Sequence, residues 1–496
     1  MRPHAFLRAA IPSTWILVLA PSPGRLEEPS IRDEWHLLSI EGQPAGYIHV
    51  SARPLPEGGT KTVLEEKLVL GRAGTKVEIR TRTAVEEDSA GKFAAFESEQ
   101  ELSRSVARAY GRVDAGEVAI EQSAGGGASK SFRIPLDPEA VGPQRADREM
   151  RRALGKPGDS SEATLFFPEV LKFGKQKAVL GPTETVEVRG AKKALRRVTV
   201  TQDILPGVAV EQWFDDAFEL QRSTMSAFGL RFVTYRATAE EVLRERFSSP
   251  PEIFLSTSAP ARGKSPSGAS EALYRLAAKG ERFPAGPDSH LFRGTGQELV
   301  REDGPKARVV RVKRIPPPRG VPYPLPARPE LAEHLRPNAY IQSDDPEIAR
   351  VAKEVAGGEK DAWEAARKLE RWVRDNVREK NLATAFASAR EVLRAKEGDC
   401  TEHAVLLAAL LRAAGLPSRV VGGLVYQGRA FVGHMWTEVH LGSWIPLDAT
   451  LGPGPPDADR LAFVASTLHA QTAADFFIGL VPLIGSLEIE VLDASP

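Results

Sequence analysis

From residue 33 to residue 245 apolar and polar side chains alternate in short runs, at 35–40, 45–52, 61–70, 75–85 and 93–102, separated by Gly, Pro or charged turns. A period of two gives each run one buried and one wet face, which predicts β-strands. Runs at 109–122 and 129–134 continue across the loose turn Gly125-Gly126-Gly127, and the pattern returns at 185–189, 194–202, 208–214, 219–227 and 231–237. Residues 137–160 lose it and hold a charged helical segment around 147–154. An antiparallel meander or half-open roll is the form these runs predict. Glu86, Glu87 and Asp88, just before Gly91, read as a solvated turn.

Beyond residue 245 the pattern changes. Residues 256–270, rich in Ser, Pro, Ala and Gly, read as a linker or surface loop. A short helix is expected at 271–278, with strands near 291–298 and 308–315. Pro316-Pro317-Pro318 opens a tract with seven prolines by Pro329, read as a semi-rigid spacer at the main domain boundary. An irregular strap packed on a domain surface is the alternative.

Helical spacing then takes over. Asp345-Pro346-Glu347 starts a helix, and 361–380 sets Trp363, Ala366, Leu369, Val373 and Val377 on one face. Ser388 starts another. Strands follow at 418–426 and in a hairpin over 431–450. The apolar run 476–487, broken by Pro482, is too short to span a bilayer and predicts a buried helix and a strand. The fold class expected is α+β: helices packed on an antiparallel sheet at the C-terminal end, preceded by a largely antiparallel β region. The domains expected are a signal segment (1–24), a β-rich accessory domain (33–245), a linker and small β segment with the Pro-rich spacer (246–330), and a catalytic domain (331–496).

Charge changes the picture only by exclusion. Lys+Arg and Asp+Glu are equal at 66 each, which argues against a nucleic-acid partner, whose binding face would leave a basic excess. Arg2 and Arg8 followed by the apolar stretch 9–20, with Val18-Leu19-Ala20 as cleavage site, are similar to a short secretory signal. That implies an exported protein, periplasmic or extracellular, with no membrane span in the mature chain. If the segment is not a signal, the protein is cytoplasmic.

The chemistry gathers at Glu397-Gly398-Asp399-Cys400-Thr401-Glu402-His403-Ala404. Cys400 is the only cysteine, so no disulfide can form within the chain and no multi-cysteine metal site can be built. Asp399 as N-cap with Glu402 three residues on is a capping box, and Ala404, Leu407, Leu411 and Ala414 recur at helical spacing until Gly415-Leu416-Pro417. Cys400 therefore falls in the first turn, where unpaired amides and the helix dipole favour a thiolate. A base and its orienting acid stand downstream, at His434 and Asp448. In the hairpin these two share a face only if the loop holds an odd number of residues or a bulge, and the odd register is the one expected. Cys400, His434 and Asp448 would then be nucleophile, general base and orienting carboxylate. His403 is a rival base better placed for local packing, and His440 sits at the hairpin turn. Trp436 shares the His434 face as site wall or core tryptophan. Asp399 and Glu402 read as caps supporting the site.

The stretches EGDCTEHAVLLAALLRAAGLPSRVVGGLVY and GHMWTEVHLGSWIPLDAT resemble the transglutaminase-like superfamily of papain-like cysteine enzymes, over roughly residues 340 to 460. The resemblance implies acyl transfer through a thioester on a protein or peptide substrate: transamidation or deamidation of glutamine, or peptide hydrolysis. No cofactor is expected, and no Asp-x-Asp-x-Asp loop suggests calcium. Two other classes stay open. One is an idle domain in a binding or scaffold protein whose N-terminal β region engages a cell-envelope partner. The other is a metal site with Cys400, His434 and Asp448 as ligands.

Overall fold

A computed structural model of the chain describes residues 32–72, 75–102, 104–252, 258–285, 289–378, 386–452 and 454–496. The expected signal segment lies outside them, as does the end of the expected helix 361–380. Among the described residues no helix is long and apolar enough to cross a membrane. The chain divides into two compact units. One holds described residues of 32–122 and 130–252, the other those of 123–129 and 258–496.

The first unit is a β-sheet of fourteen strands. From one edge they run Lys130–Pro135, Glu117–Ala124, Ser105–Asp114, Phe93–Leu102, Thr75–Glu87, Thr60–Arg72, Gln43–Pro54, Arg32–Ile40, Leu230–Ala237, Leu220–Ala227, Ala209–Phe214, Ala191–Gln202, Lys172–Val188 and Ser160–Phe167. Two meanders are thus joined where the first strand pairs with the last, Trp35 opposite Ala237. Phe93, Phe96, Val118 and Ile120 from one meander pack with Phe166 and Leu171 of the other, so the sheet curls onto its own core. The strand Ser160–Phe167 was not expected, and the run at 109–122 is two strands turned at Ala115-Gly116, both at positive φ. The acidic trio is not a solvated turn throughout. Glu87 is buried, and its Oε2 accepts the N–H groups of Gln144 at 2.9 Å and Arg145 at 3.3 Å. It caps the helix Pro143–Ala153, whose own N-cap position, Gly142, has no side chain to do so.

The second unit is built on a nine-stranded sheet. Its order is Gln297–Asp303, Ala307–Lys313, Glu271–Ala278, Leu487–Ser495, Ala259–Gly263, Ala430–His440, Ser418–Tyr426 and Arg460–Ser466, with Trp444–Leu447 also paired to Ala430–His440. Residues 246–330 are therefore no separate linker: four of their strands belong to this sheet. The helix expected at 271–278 is a strand, because Ala272, Tyr274 and Leu276 alternate inward and Tyr274 Oη donates to Ala458 O at 2.5 Å. Near 291–298 a short helix, His290–Arg293, precedes the strand Gln297–Asp303. The proline tract is the strap, not a spacer. Tyr323 N–H donates to Lys360 O at 2.9 Å, Ala362 N–H to Val321 O at 2.8 Å, and Tyr323 Oη to Ala414 O at 2.9 Å.

The helix Cys400–Ala413 is buried on every side rather than amphipathic, with the helices Pro346–Ala356, Ala362–Asn376 and Ala389–Ala395 around it and the sheet beneath. Its far end is anchored by Arg412, a buried guanidinium that donates to carbonyls: Arg336 O at 2.8 Å, Thr467 O at 3.0 Å and Ser418 O at 3.0 Å. Burial pulls its proton affinity down, to a pKa of about 9. Arg412→Ala takes a donor from three buried carbonyls, of which Thr467 O keeps the Asn338 amide at 2.8 Å, and is expected to lower stability by about 3 kcal/mol in urea denaturation followed by tryptophan fluorescence. A loss under about 1 kcal/mol would show that the anchor is dispensable.

Candidate active site

Cys400 opens its helix as the cap residues dictate. Asp399 Oδ1 accepts the Thr401 N–H at 3.0 Å and the Thr401 hydroxyl at 2.9 Å, while Glu402 Oε2 accepts the Asp399 N–H at 2.9 Å and Oε1 the Ala387 N–H at 3.1 Å. Gly398 makes this box fit. Its φ is +151°, and a Cβ there would lie 2.3 Å from Glu402 Cβ. Burial, with the Asp399 charge beside it, pushes the Glu402 carboxyl well up from its ordinary range. His403 faces backbone on both sides, Nδ1 toward Asp399 O at 2.6 Å and Nε2 toward Val377 O at 3.1 Å. It ties the helix start to the end of the helix Ala362–Asn376 and has no nitrogen left over for a thiol.

The hairpin takes the odd register. His440 pairs with Trp444 and Thr437 with Leu447, which leaves the three-residue loop Leu441-Gly442-Ser443 and brings Asp448, just past the returning strand, onto the face of His434. His434 Nε2 donates to Asp448 Oδ2 at 2.7 Å. Trp436 lies beside the imidazole with ring centroids 6.2 Å apart, and packs against Val421 and Ala462, so it is both wall and core. His440 stays at the turn, edge-on to Trp444.

Two hydrogen bonds fix how the helix lies on the sheet. Thr437 Oγ1 donates to Ala404 O at 2.9 Å, and Ser418, which pairs with Val439, donates through Oγ to Ala408 O at 3.0 Å. Moving from 437 to 439 along the strand thus moves from 404 to 408 along the helix, so the two run in the same direction. Cys400 is one turn back from Ala404, about 6 Å, and His434 is three residues back from Thr437, about 10 Å. Both lie toward the same end. Strand alternation sets His434 on the opposite face from Thr437, at an edge where the pairing of Trp444–Leu447 has already stopped. The Asp448 charge reaches the first turn of the helix, where it raises the proton affinity of His403 against the larger effect of burial.

Asp448 is held more closely than its sequence neighbours suggest. Oδ1 accepts the N–H groups of Thr450 at 2.9 Å and Leu451 at 3.1 Å, and Oδ2 also accepts from the Arg460 guanidinium. Its own N–H donates to Glu370 Oε1 at 2.9 Å. Burial alone would push this carboxyl up; the positive charges of His434 and Arg460 outweigh it and hold the group well below the usual carboxylate range. Glu370, paired with Arg367 and buried, is pushed up to about 7 by burial. Neither Glu370 nor Arg460 was foreseen. Glu370 did carry a signal: it follows Leu369 on the apolar face of its helix, where a carboxylate is out of place. Arg460 begins a strand that sequence patterning had passed over.

Cys400, His434 and Asp448 are 0, 1 and 2% exposed, so no substrate reaches the thiol in this conformation. Among the described residues no three or more His, Cys, Asp or Glu side chains group to hold a metal ion.

Residues 349–449 match the family model described as the transglutaminase-like superfamily. No curated protein matches the chain. Among solved structures the chain is similar to a candidate cysteine protease from Cytophaga hutchinsonii, at 17% identity over 46% of this chain and 90% of that one, with a TM-score of 0.28. It is also similar to a β-barrel-like domain of unknown function from Brucella abortus, at 14% identity over 42% and 98%, TM-score 0.32. A candidate protease from Parabacteroides distasonis matches at 14% identity over 73% and 68%, TM-score 0.20.

Glu370→Ala strips the acceptor from the buried Asp448 N–H and is expected to cost about 2 kcal/mol of stability, measured by urea denaturation. The Gln variant, which keeps a carbonyl acceptor, is expected to lose less. Equal losses in the two would show that charge, not the hydrogen bond to Asp448, is what matters at this position.

Proposed function

We propose that the transglutaminase-like segment at 349–449 works as a cysteine-dependent acyl transferase or hydrolase on amide bonds, with Cys400 as nucleophile, His434 as general base and acid, and Asp448 as the orienting carboxylate. The observation that carries this reading is the 2.7 Å bond from His434 Nε2 to a buried Asp448, at the end of the strand toward which the Cys400 helix begins. That bond fixes the tautomer, so the other ring nitrogen, Nδ1, is the one left to take a proton. Residues 432–436 stand between the pairings of Ala430–His440 with Ala259–Gly263 and with Trp444–Leu447.

In the reaction, His434 takes the thiol proton as Cys400 Sγ bonds to the amide carbon. The C–N bond breaks with that proton passing to the departing amine, and a thioester remains. Water then gives the acid and completes hydrolysis, whereas an amine gives a new amide and completes transamidation. Hydrolysis of a peptide or side-chain amide is the reading we favour, on a protein that the basic and apolar N-terminal stretch marks for export. The full burial of Cys400 favours one rival, an idle scaffold domain, and trapping separates the two.

Incubation of the full chain with a glutamine-containing peptide mixture, acid quench and intact-mass spectrometry are expected to show an acyl adduct on Cys400 that hydroxylamine removes. Cys400→Ala is expected to show none, and Asp448→Asn to form it about 10²- to 10⁴-fold more slowly. Undiminished turnover in the Cys400→Ala protein would refute the assignment.

A further inference from the structure

We infer that Arg460 is a positioning residue of the acyl-transfer site, whose guanidinium shares the Asp448 carboxylate with His434 and so limits how strongly that carboxylate holds a proton on the imidazole. This rests on the reading of Cys400, His434 and Asp448 given above, and it concerns a residue outside the segment matching the superfamily, which ends at 449.

The geometry is specific. In the sheet, His434 pairs with Gly423, and Gly423 pairs with Ala462; Arg460 lies two residues from Ala462 and therefore on the same face as His434. The residue between them is glycine, so no side chain stands in the way of the guanidinium. At Gly423 a Cβ would come within 1.9 Å of Leu461 O, so no other residue fits there without moving the strand that carries Arg460. The guanidinium reaches Oδ2, the same oxygen that accepts from His434 Nε2. Oδ1 is taken by two backbone amides.

One carboxylate oxygen serving two cations divides its field between them. An imidazolium facing Asp448 alone would be strongly stabilised; with a fixed positive charge on the same oxygen it is stabilised less. The ring takes its orientation from Asp448 through the hydrogen bond, and Arg460 holds the same oxygen in place.

The other charged groups around the pair are accounted for. Just before the strand that Arg460 opens, Asp459 Oδ1 lies 3.3 Å from Arg460 Nε, in an ion pair without hydrogen-bond geometry, and its carboxyl is pushed up to about 6 by burial. Asp457 is engaged by Arg314. From the helix Ala362–Asn376, Glu370 meets the Asp448 backbone and is itself paired with Arg367. From the helix Cys400–Ala413 come the thiol of Cys400 and His403, the latter held between two carbonyls. Among these, Arg460 is the cation in contact with the Asp448 carboxylate besides His434.

The test reads the imidazole itself. Histidine-labelled full-length protein is titrated by NMR, with the His434 resonance identified by its disappearance in His434→Asn. In Arg460→Gln the His434 midpoint is expected to rise by about one pH unit, and in Arg460→Lys to stay near the wild-type value. Arg460→Met, which also removes the charge but keeps a side chain of some length, carries the test if Arg460→Gln does not fold. A midpoint unmoved by Arg460→Gln, or by Arg460→Met in its place, overturns the inference, even if stability falls. If the thioester on Cys400 is still trapped in that case, the acyl-transfer reading survives. If no thioester forms in the wild type, that reading fails and this one with it.

Discussion

A carboxylate taken out of water costs several kcal/mol unless its oxygens are met by donors and its charge by a cation, and Asp448 is 2% exposed. The C-terminal unit is arranged to meet that demand. Two amides of the following turn fill one oxygen, an imidazole and a guanidinium fill the other, and a glutamate on a distant helix fixes the backbone from which the side chain hangs. The groups come from residues 370, 434, 448, 450, 451 and 460. The Cys400 thiol, by contrast, needs little beyond a helix start. In this site the acid, rather than the thiol, dictates the architecture.

What could be read in advance was local. A cap followed three residues on by glutamate is a rule of helix starts, and it placed Cys400 in the first turn from eight consecutive letters. The parity of a hairpin is equally local, and Leu441-Gly442-Ser443 fixed it. Glu370 and Arg460 were out of reach for the opposite reason: one acts on a group 78 residues away in sequence and the other across a turn-rich stretch of 12, and nothing in the neighbourhood of either announces the partner. Arg460 also opens a short strand bounded by the turn-rich stretch before it, where the alternation is too brief to stand out.

The same distinction explains the misreadings elsewhere. Residues 271–278 are rich in Ala and Leu, and by propensity they favour a helix. Pairing with Leu487–Ser495, more than two hundred residues later, overrides that preference. Glu87 looked like one of three acids in a wet turn until a helix start more than fifty residues on required an acceptor. Proline content identified 316–329 as stiff but could not say that two backbone hydrogen bonds and a tyrosine hydroxyl fasten it down. In each case the composition was informative about local backbone preference and silent about the distant partner.

The way the first strand of the N-terminal unit lies against its last, with Trp35 across from Ala237, sets the order in which that unit can be completed. Each meander can zip up hairpin by hairpin as it is synthesised, but the seam between them must wait until about two hundred residues have been made. Contacts of such separation are slow to form because a long loop must be closed before they return any energy. The seam also leaves the two ends of the module side by side. A connection made there would let the chain be cut open at any of the hairpin turns with its strand order in space unchanged.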